Sequence, residues 1–574
     1  MICSKCGKEN KNSSAFCQFC GNPLNAQTTV AQKAPVAPNN IQPINPPAGT
    51  NTAATPAANP GGNYARRCPN CANIATRVPC EHCGYNAQSA AQNMQFVSEG
   101  QTKKNKKTII IIIAVALVIL IAAAVFIGIF ISKKEDTKSE TKTTTTTQTT
   151  TAKINSKDNS DKKITGESAE IIAMKKIKPN VKIPSNFKIG LICLHDENST
   201  YDKNFINAMR ATAQGMGLTD AQVIIKTSID ESDSCYDAAV DLVENHGCKV
   251  IFADSFGHET YMIKAAKKYP KVQFCHASGA SAKSAGLSNF HNAYAAIYEG
   301  RYIAGVAAGI KLNDMIKMGK ITAEQAIIGY VGAFAYAEVI SDMTAFYLGA
   351  KSVCPSATMK VRYTDSWYDK ESEQAAAMAL IKEDNCVLIS QHSDSIGAPT
   401  ACENAGVPNV SYNGSTYAAC KNTFLISSKI NWAPYFQHII ENTVKGKAIE
   451  TNWCGTVKTN SILISGINTT LVDSKAAIDE LNKVIEQLKA GKLHVFDTST
   501  FTVTVDAAQG INTNAQVDKS GHLVKYMADM DIDFVGDTNV VHDGYFDECG
   551  SKFRSAPYFD ILIDGITIVA TGLE

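Results

Sequence analysis

The chain has 574 residues, too many for one ordinary domain, and is 45% hydrophobic, a composition that excludes a wholly disordered protein. Its formal net charge of +1 leaves no global field of the kind that draws a protein to nucleic acid. These averages conceal a strongly segmented chain.

Residues 1–24 carry Cys3-x2-Cys6 and Cys17-x2-Cys20, and residues 65–90 carry Cys68-x2-Cys71 and Cys80-x2-Cys83. Two such pairs present four thiolates to one tetrahedral ion, because each short knuckle turns both sulfurs to the same side. Gly7, Gly21 and Gly84 follow the second cysteine of a pair, where the turn favours a residue tolerant of positive φ. Both units resemble short zinc ribbons and predict two structural zinc ions. Segments this small bury little apolar surface, so the metal supplies their folding energy. The alternative, two small disulfide loops, requires an oxidising compartment. Residues 25–64, rich in Pro, Ala and Asn, read as a flexible tether.

Residues 108–131 contain an unbroken apolar run, Ile109 to Ile131. At 1.5 Å per residue it reaches roughly 35 Å, enough for a hydrocarbon core of about 30 Å. Lys103, Lys104, Lys106 and Lys107 precede it, outnumbering Lys133 and Lys134 behind it. That bias predicts a single-pass membrane protein with a cytoplasmic N-terminus and everything after the helix extracellular. Residues 132–180, rich in Thr and Lys, read as a solvated stalk.

From residue 186 to 500 the pattern becomes α/β. Apolar runs at Lys188–Leu194, Gln222–Thr227, Lys249–Ala253, Val272–His276, Ala326–Gly332, Met359–Tyr363, Cys386–Ser390, Pro408–Tyr412 and Thr423–Ser427 read as strands. Amphipathic stretches between them, such as Asn204–Gly215, Cys235–Asn245, Tyr261–Tyr269 and Glu371–Glu383, read as helices. Such alternation predicts doubly wound parallel sheets, and so many strands predict two lobes. Residues 501–574 are Asp-rich with short strand-like pieces at Phe501–Val505 and Tyr558–Val569, and read as a β-rich C-terminal extension.

Ligands of doubly wound folds bind beyond the carboxyl ends of the strands. Those ends carry Asp196 and Tyr201, then Ser255, Phe256 and His258, then His276. The second half supplies Phe334, Tyr336, Trp367, His392, Asp394, Asn413 and Trp432. Aromatic faces with a few hydrogen-bonding groups suit a planar, polar heterocycle. Any one of these aromatics is more simply a cap on the sheet, and only their recurrence in both halves points to a cleft. No enzyme is expected: the chain lacks a Gly-x-Ser-x-Gly elbow, a Gly-x4-Gly-Lys-Ser/Thr phosphate loop and a His-Glu-x2-His metal motif. Ten cysteines lie outside the ribbons. Cys193, Cys275 and Cys386 fall in strand runs as small hydrophobes, and a Cys402–Cys420 pairing is left open.

Three stretches carry a family resemblance: Asp196-x5-Asp202-Lys203-Asn204-Phe205; Tyr298-Glu299-Gly300-Arg301-Tyr302-Ile303-Ala304-Gly305-Val306-Ala307-Ala308; and Ile328-Gly329-Tyr330-Val331-Gly332 leading through Gly349-Ala350-Lys351 to Asp365-Ser366-Trp367-Tyr368-Asp369. They resemble the basic membrane protein family, the solute-binding proteins of ABC importers. The resemblance implies a type I periplasmic-binding-protein fold with two α/β lobes, a cross-over hinge and ligand in the cleft. It also implies an ABC permease and ATPase as partners and a purine base or nucleoside as ligand. The family's early aspartate falls on Asp196 and its two stacking aromatics on Phe205 and Trp367, which predicts a base clamped between lobes. Its charged sugar-binding positions fall on His276, Asn413 and Asn431, which implies a free base, with Asp394 accepting from base N–H groups. The set Phe256, Trp367, His392, Asp394 and Trp432 looks like the branch with purine-base ligands. A membrane-tethered ligand sensor or scaffold signalling through its cytoplasmic zinc ribbons is the alternative.

Overall fold

The computed structural model describes residues 166–571 apart from 509, 530–535, 537 and 549–553, together with Arg66–Arg67 and Ile74–Ala75, which pair as a two-residue antiparallel ladder. The eight ribbon cysteines, the apolar run Ile109–Ile131 and the chain from there to residue 165 lie outside the described residues. No helix among the described residues is long and apolar enough to cross a membrane. The chain divides into units 1–62 and 63–574, and both lobes belong to the second.

The first lobe contains β1 (Ile189–Ile192), α1 (Thr200–Met216), β2 (Val223–Lys226), α2 (Asp233–Glu244), β3 (Val250–Ala253), α3 (Glu259–Lys268), β4 (Gln273–Ala277), α4 (Ala282–Ala285) and β5 (Phe290–Ala295). Helix α5 (Ile297–Lys317) leads into the second lobe: β6 (Ile327–Gly332), α6 (Ala337–Val353), β7 (Thr358–Tyr363), α7 (Lys370–Lys382), β8 (Leu388–His392), α8 (Gly397–Ala405), β9 (Asn409–Tyr412) and β10 (Phe424–Ile430). The chain then returns through α9 (Ala433–Lys445) to β11 (Asn452–Gly455) at the first lobe's edge. It crosses again to β12 (Ile462–Ile464) and continues into α10 (Ser474–Lys489). The first sheet is wholly parallel in the order β11-β5-β4-β3-β1-β2. Crossings after β5, β10 and β11 form the hinge between lobes. Central strands such as β1, β3, β6 and β8 are buried nearly throughout, as expected of parallel strands covered on both faces.

The helix ends follow local chemistry. Ser199 caps α1 by accepting from the Asp202 N–H, and Gly217 ends it in the left-handed region at φ 74°. Asp369 caps α7 by accepting from the Glu371 and Ser372 N–H groups, and Asp473 caps α10 likewise.

The structure extends the packed domain beyond both expected boundaries. Residues from 166 onward, read as part of the stalk, lie along the outer edge of β12: Ser168 N–H donates to Ile467 O at 2.9 Å and Ile172 N–H to Ile464 O at 3.1 Å. An open strand edge accepts any chain with free N–H groups, which polar composition does not reveal. At the other end, Phe501–Val505 forms no strand. The extension folds into β13 (Ala515–Val517), β14 (Leu523–Ala528), β15 (Thr538–Asn539), β16 (Val541–His542) and β17 (Tyr545–Phe546). Its last strand, β18 (Ile566–Thr571), joins the second sheet, which reads β12-β10-β9-β8-β6-β7-β18. β18 runs parallel to β7, whereas β12 is antiparallel to β10. The extension also touches the first lobe: Ser555 N–H and Oγ–H donate to Asn452 Oδ1 at 3.2 and 2.9 Å.

Helices α5 and α6 meet backbone to backbone. A Cβ on Gly305 would lie 2.1 Å from Phe346 O, one on Gly349 2.1 Å from Tyr302 O, and one on Gly309 2.4 Å from Ala350 O. None of these contacts is with a side chain that can turn away. Gly305→Val is therefore expected to destabilise the chain by about 3 kcal/mol or more, read as a lowered denaturation midpoint.

Glu299, two residues into α5, accepts the Val457 N–H at 2.6 Å from the β11–β12 crossing. Burial pushes its carboxyl up to about 7, against the lowering effect of that bond. A carboxyl raised in the folded state holds its proton there at pH values where the unfolded chain has lost it. Its stabilising contribution is thus present at acid pH and lost as pH rises from about 4.5 to 7, by at most ~3 kcal/mol. Thermal melts between pH 5 and 8 should show this decline, and Glu299→Gln should flatten it.

Candidate functional site

A cleft between the lobes, about 470 Å³ with the open solvent at its mouth, lies at the carboxyl ends of the strands. The first lobe lines it with Leu194, His195, Tyr201, Asp202, Ser255, Phe256 and Ser278, and the second with Glu338, Trp367, His392, Asp394 and Tyr412. The lobes touch at its rim, where the Thr200 N–H donates to Asp394 O at 3.1 Å. The Asp394 N–H in turn donates to Trp367 O at 2.9 Å.

Six of the residues expected from sequence come together here: Tyr201, Ser255, Phe256, Trp367, His392 and Asp394. Trp367 is half-buried and meets Phe334 edge-on at 5.2 Å, while Phe334 stacks on Tyr336 at 5.0 Å. His392 stacks on Tyr412 at 4.1 Å. Phe256 is 56% exposed, so its ring is open to a ligand from the first lobe.

The other six do not line the cleft. Phe205 is buried and stacks on Trp432 at 4.5 Å, so each ring already covers the other. Phe205 thus stands outside the cleft, whereas Phe256 and Trp367 line it from one lobe each. Asp196 is exposed and closes a local turn by accepting from the Asn198 N–H at 2.9 Å. Asn204 sits half-buried on α1. His258 is buried with Nε2 2.9 Å from Ile229 O. Asn413 sits at φ 53°, which asparagine tolerates, with Oδ1 3.4 Å from the Ile430 N–H. Asn431 donates to Asn460 O at 2.8 Å and accepts from the Ala433 N–H at 3.2 Å. Both asparagines thus bond the hinge backbone, and the Asn413 Nδ2 is buried without a hydrogen-bond partner. His276 is likewise engaged, with Nε2 2.7 Å from Ser255 O and Nδ1 3.3 Å from Asn292 Oδ1.

Two carboxylates of the cleft, Asp202 and Glu338, stand outside the residues expected to bind ligand, whereas Asp394 stands among them. Asp202 accepts the His195 N–H at 2.7 Å and the Ser199 hydroxyl at 2.5 Å, and His195 Nδ1 lies 3.4 Å away. Burial alone would raise Asp202, but these partners lower it below its ordinary value. The same hydrogen bond raises His195. Asp254, wholly buried beside it, is raised by burial and then by the charge of Asp202. Cys193, Asp202 and Asp254 lie within 4.8 Å of one another. On the opposite wall, burial raises Glu338, and it raises Asp394 together with the charges of Asp202, Glu373 and Glu338. Asp202 and Glu338 sit in the first turns of α1 and α6. Positions facing the strand ends from a helix N-terminus were the signal that could have found them.

All nine described cysteines are free, Cys402 and Cys420 included, and eight are buried. Burial raises the thiols of Cys235 and Cys386 to about 12. They act as small hydrophobes.

Residues 191–502 match the model of a family described as ABC transporter substrate-binding protein PnrA-like (Bmp). A Haloferax volcanii protein named as a glucose-binding protein of an ABC transporter is 32% identical over 44% of this chain and 60% of its own length. A Brucella abortus protein named as purine-binding is 32% identical over 44% of this chain and 66% of its own. The chain thus spans somewhat under two thirds of either relative. Metabotropic glutamate receptor-like protein J of Dictyostelium discoideum is 23% identical over 46% of this chain and 33% of its own.

Proposed function

The chain belongs to the Bmp family of ABC transporter substrate-binding proteins, and on that premise we propose that it captures a purine base in the interlobe cleft for delivery to an ABC permease and ATPase. One observation carries the reading: Phe256 and Trp367 line the cleft from opposite lobes, with the acceptors Asp202, Glu338 and Asp394 around them. Two ring faces hold a flat heterocycle, each stacking contact adding on the order of 1 kcal/mol beyond burial, and the carboxylates choose among bases by hydrogen bonding. Similarity to a purine-binding relative supports the same class, and similarity to a glucose-binding one makes sugars the necessary control. Calorimetry on the full chain with adenine, guanine, adenosine, guanosine and glucose tests it. A purine should bind, and Trp367→Ala and Phe256→Ala should each weaken it by about tenfold. Glucose binding without purine binding would refute the assignment.

We further propose that the two ribbons hold one structural zinc each, that Ile109–Ile131 spans a membrane, and that the N-terminus is cytoplasmic. What supports this is the paired Cys-x2-Cys spacing, the uncharged apolar run and its lysine-rich N-terminal flank. Metal analysis of the full chain should find about two zinc ions with eight reduced ribbon thiols. Metal-free ribbons with the thiols joined in disulfides would overturn both the ribbons and the orientation.

The second reading is a tethered sensor. It is favoured by the likeness to a receptor-like protein and by the joining of a cysteine-rich head to the same chain. A permease and ATPase that co-purify with the chain favour import, and a partner captured through residues 1–90 favours sensing.

A further inference from the structure

The cleft is lined by three carboxylates, Asp202, Glu338 and Asp394, and by no lysine or arginine. A fourth, Asp342, lies one turn behind Glu338 on the same face of α6, wholly buried. Its Oδ2 is 3.3 Å from His392 Nδ1, and Glu338 Oε1 is 3.9 Å from His392 Nε2, so one imidazole stands between two carboxyls. Asp342 Oδ1 and the neighbouring Tyr412 hydroxyl are buried without a hydrogen-bond partner. Among the described residues no lysine or arginine pairs with any of the four carboxyls. Arg301 is the nearby buried cation, and its Nη2 is spent on Ser390 Oγ at 2.6 Å and Gln391 O at 3.3 Å. Acceptors this deep, left without donors, cost free energy that a ligand carrying donors removes.

We infer that the cleft selects amino-substituted heterocycles over their oxo counterparts, with Glu338 and Asp394 accepting from the exocyclic amine and a ring N–H, and that it rejects anions. The inference rests on the heterocycle reading above and sharpens it. A ring carbonyl in place of the amine sets oxygen against a carboxyl and leaves that acceptor unpaired. An anionic ring adds charge to a site that already holds several carboxyls and no strong cation. The same logic excludes nucleotides, whose phosphates would face the acidic walls.

The test uses the full chain and two amino/oxo pairs, adenine with hypoxanthine and cytosine with uracil, plus urate as an anion. Adenine should bind about tenfold or more tighter than hypoxanthine, the usual consequence of leaving one buried acceptor unpaired, and urate should show no binding at millimolar concentration. Glu338→Gln turns one oxygen into a donor at nearly constant shape, so the adenine/hypoxanthine ratio should fall towards one or invert. Asp394→Asn provides the same readout should the first variant fail to fold. Hypoxanthine or urate binding as tightly as adenine overturns the inference and leaves the purine assignment standing. Cytosine preferred over uracil with no purine bound does the reverse: the amine selection stands and the purine assignment falls.

Discussion

The contact on which the cleft depends is the glycine seam between α5 and α6. Gly305 and Gly309 on one helix and Gly349 on the other let the backbones approach until a single Cβ would collide with a carbonyl oxygen. Helix α5 is the element that carries the chain out of the first lobe, and α6 is the element that presents Glu338 to the ligand space, with Asp342 buried behind it. Setting the distance between them sets the second wall of the cleft. Arg301, on α5, extends the same support. It is wholly buried, bonds the carbonyls of Gln391 and Ser411, and lies 5.7 Å from the Tyr412 ring on which His392 stacks. The hinge helix thus reaches the ligand wall through two layers of packed side chains.

That arrangement explains how so many acidic groups persist at one place. Isolated, each buried carboxyl would be costly to ionise, and burial raises Glu338, Asp394 and Asp254 accordingly. Asp202 alone is lowered, because His195, Ser199 and the His195 N–H together outweigh its burial. Asp202 is thus favoured in its ionised form, while burial favours the protonated forms of Asp254 beside it and of Glu338 and Asp394 across the cleft. A ligand that donates hydrogen bonds favours the ionised forms, so its binding and the loss of those protons are linked.

Much of this architecture is legible in the sequence because buried parallel strands are continuous apolar runs, and nine of them can be read directly. Strands β5 and β11 cannot, for a physical reason. β5 carries His291 and Asn292, whose side chains bond Gln273, Gly279 and the Glu450 carbonyl. β11 begins on Asn452, which accepts from the C-terminal extension. Polar residues inside a strand look like loop until their partners, far away in sequence, are known. The same limit misplaces Phe205 and Trp432. An aromatic near a strand end reads as a ligand face, and only the fold shows that these two rings lie against each other. His392 is legible because it ends its strand, and Trp367, Phe256 and Asp394 because they sit on the loops that follow theirs. Asp202 stands in the family stretch with no ligand role assigned to it, and Glu338, in the first turn of α6, lies beyond the residues read at its strand end.

The C-terminal extension adds a constraint that family resemblance did not contain, since the family match ends at residue 502. Through β18 it is part of the second sheet, hydrogen-bonded strand to strand along β7. Through Ser555 it is fixed to Asn452 in β11, and it lies within reach of Asn292 in β5, whose Nδ2 is 3.5 Å from the Ser555 carbonyl. Both of those strands belong to the first lobe. Between these anchors it has its own core, with Phe559 stacked on Phe496 at 4.2 Å and packed edge-on against Phe546 at 4.8 Å. One continuous segment is therefore bonded to both lobes beside the hinge. Rotation of the lobes apart has to strain this segment or release its few hydrogen bonds to the first lobe, whereas the ladder to β7 resists release as a unit. The extension thus ties the two lobes together beside the three crossings, by a strand ladder on one side and a few hydrogen bonds on the other.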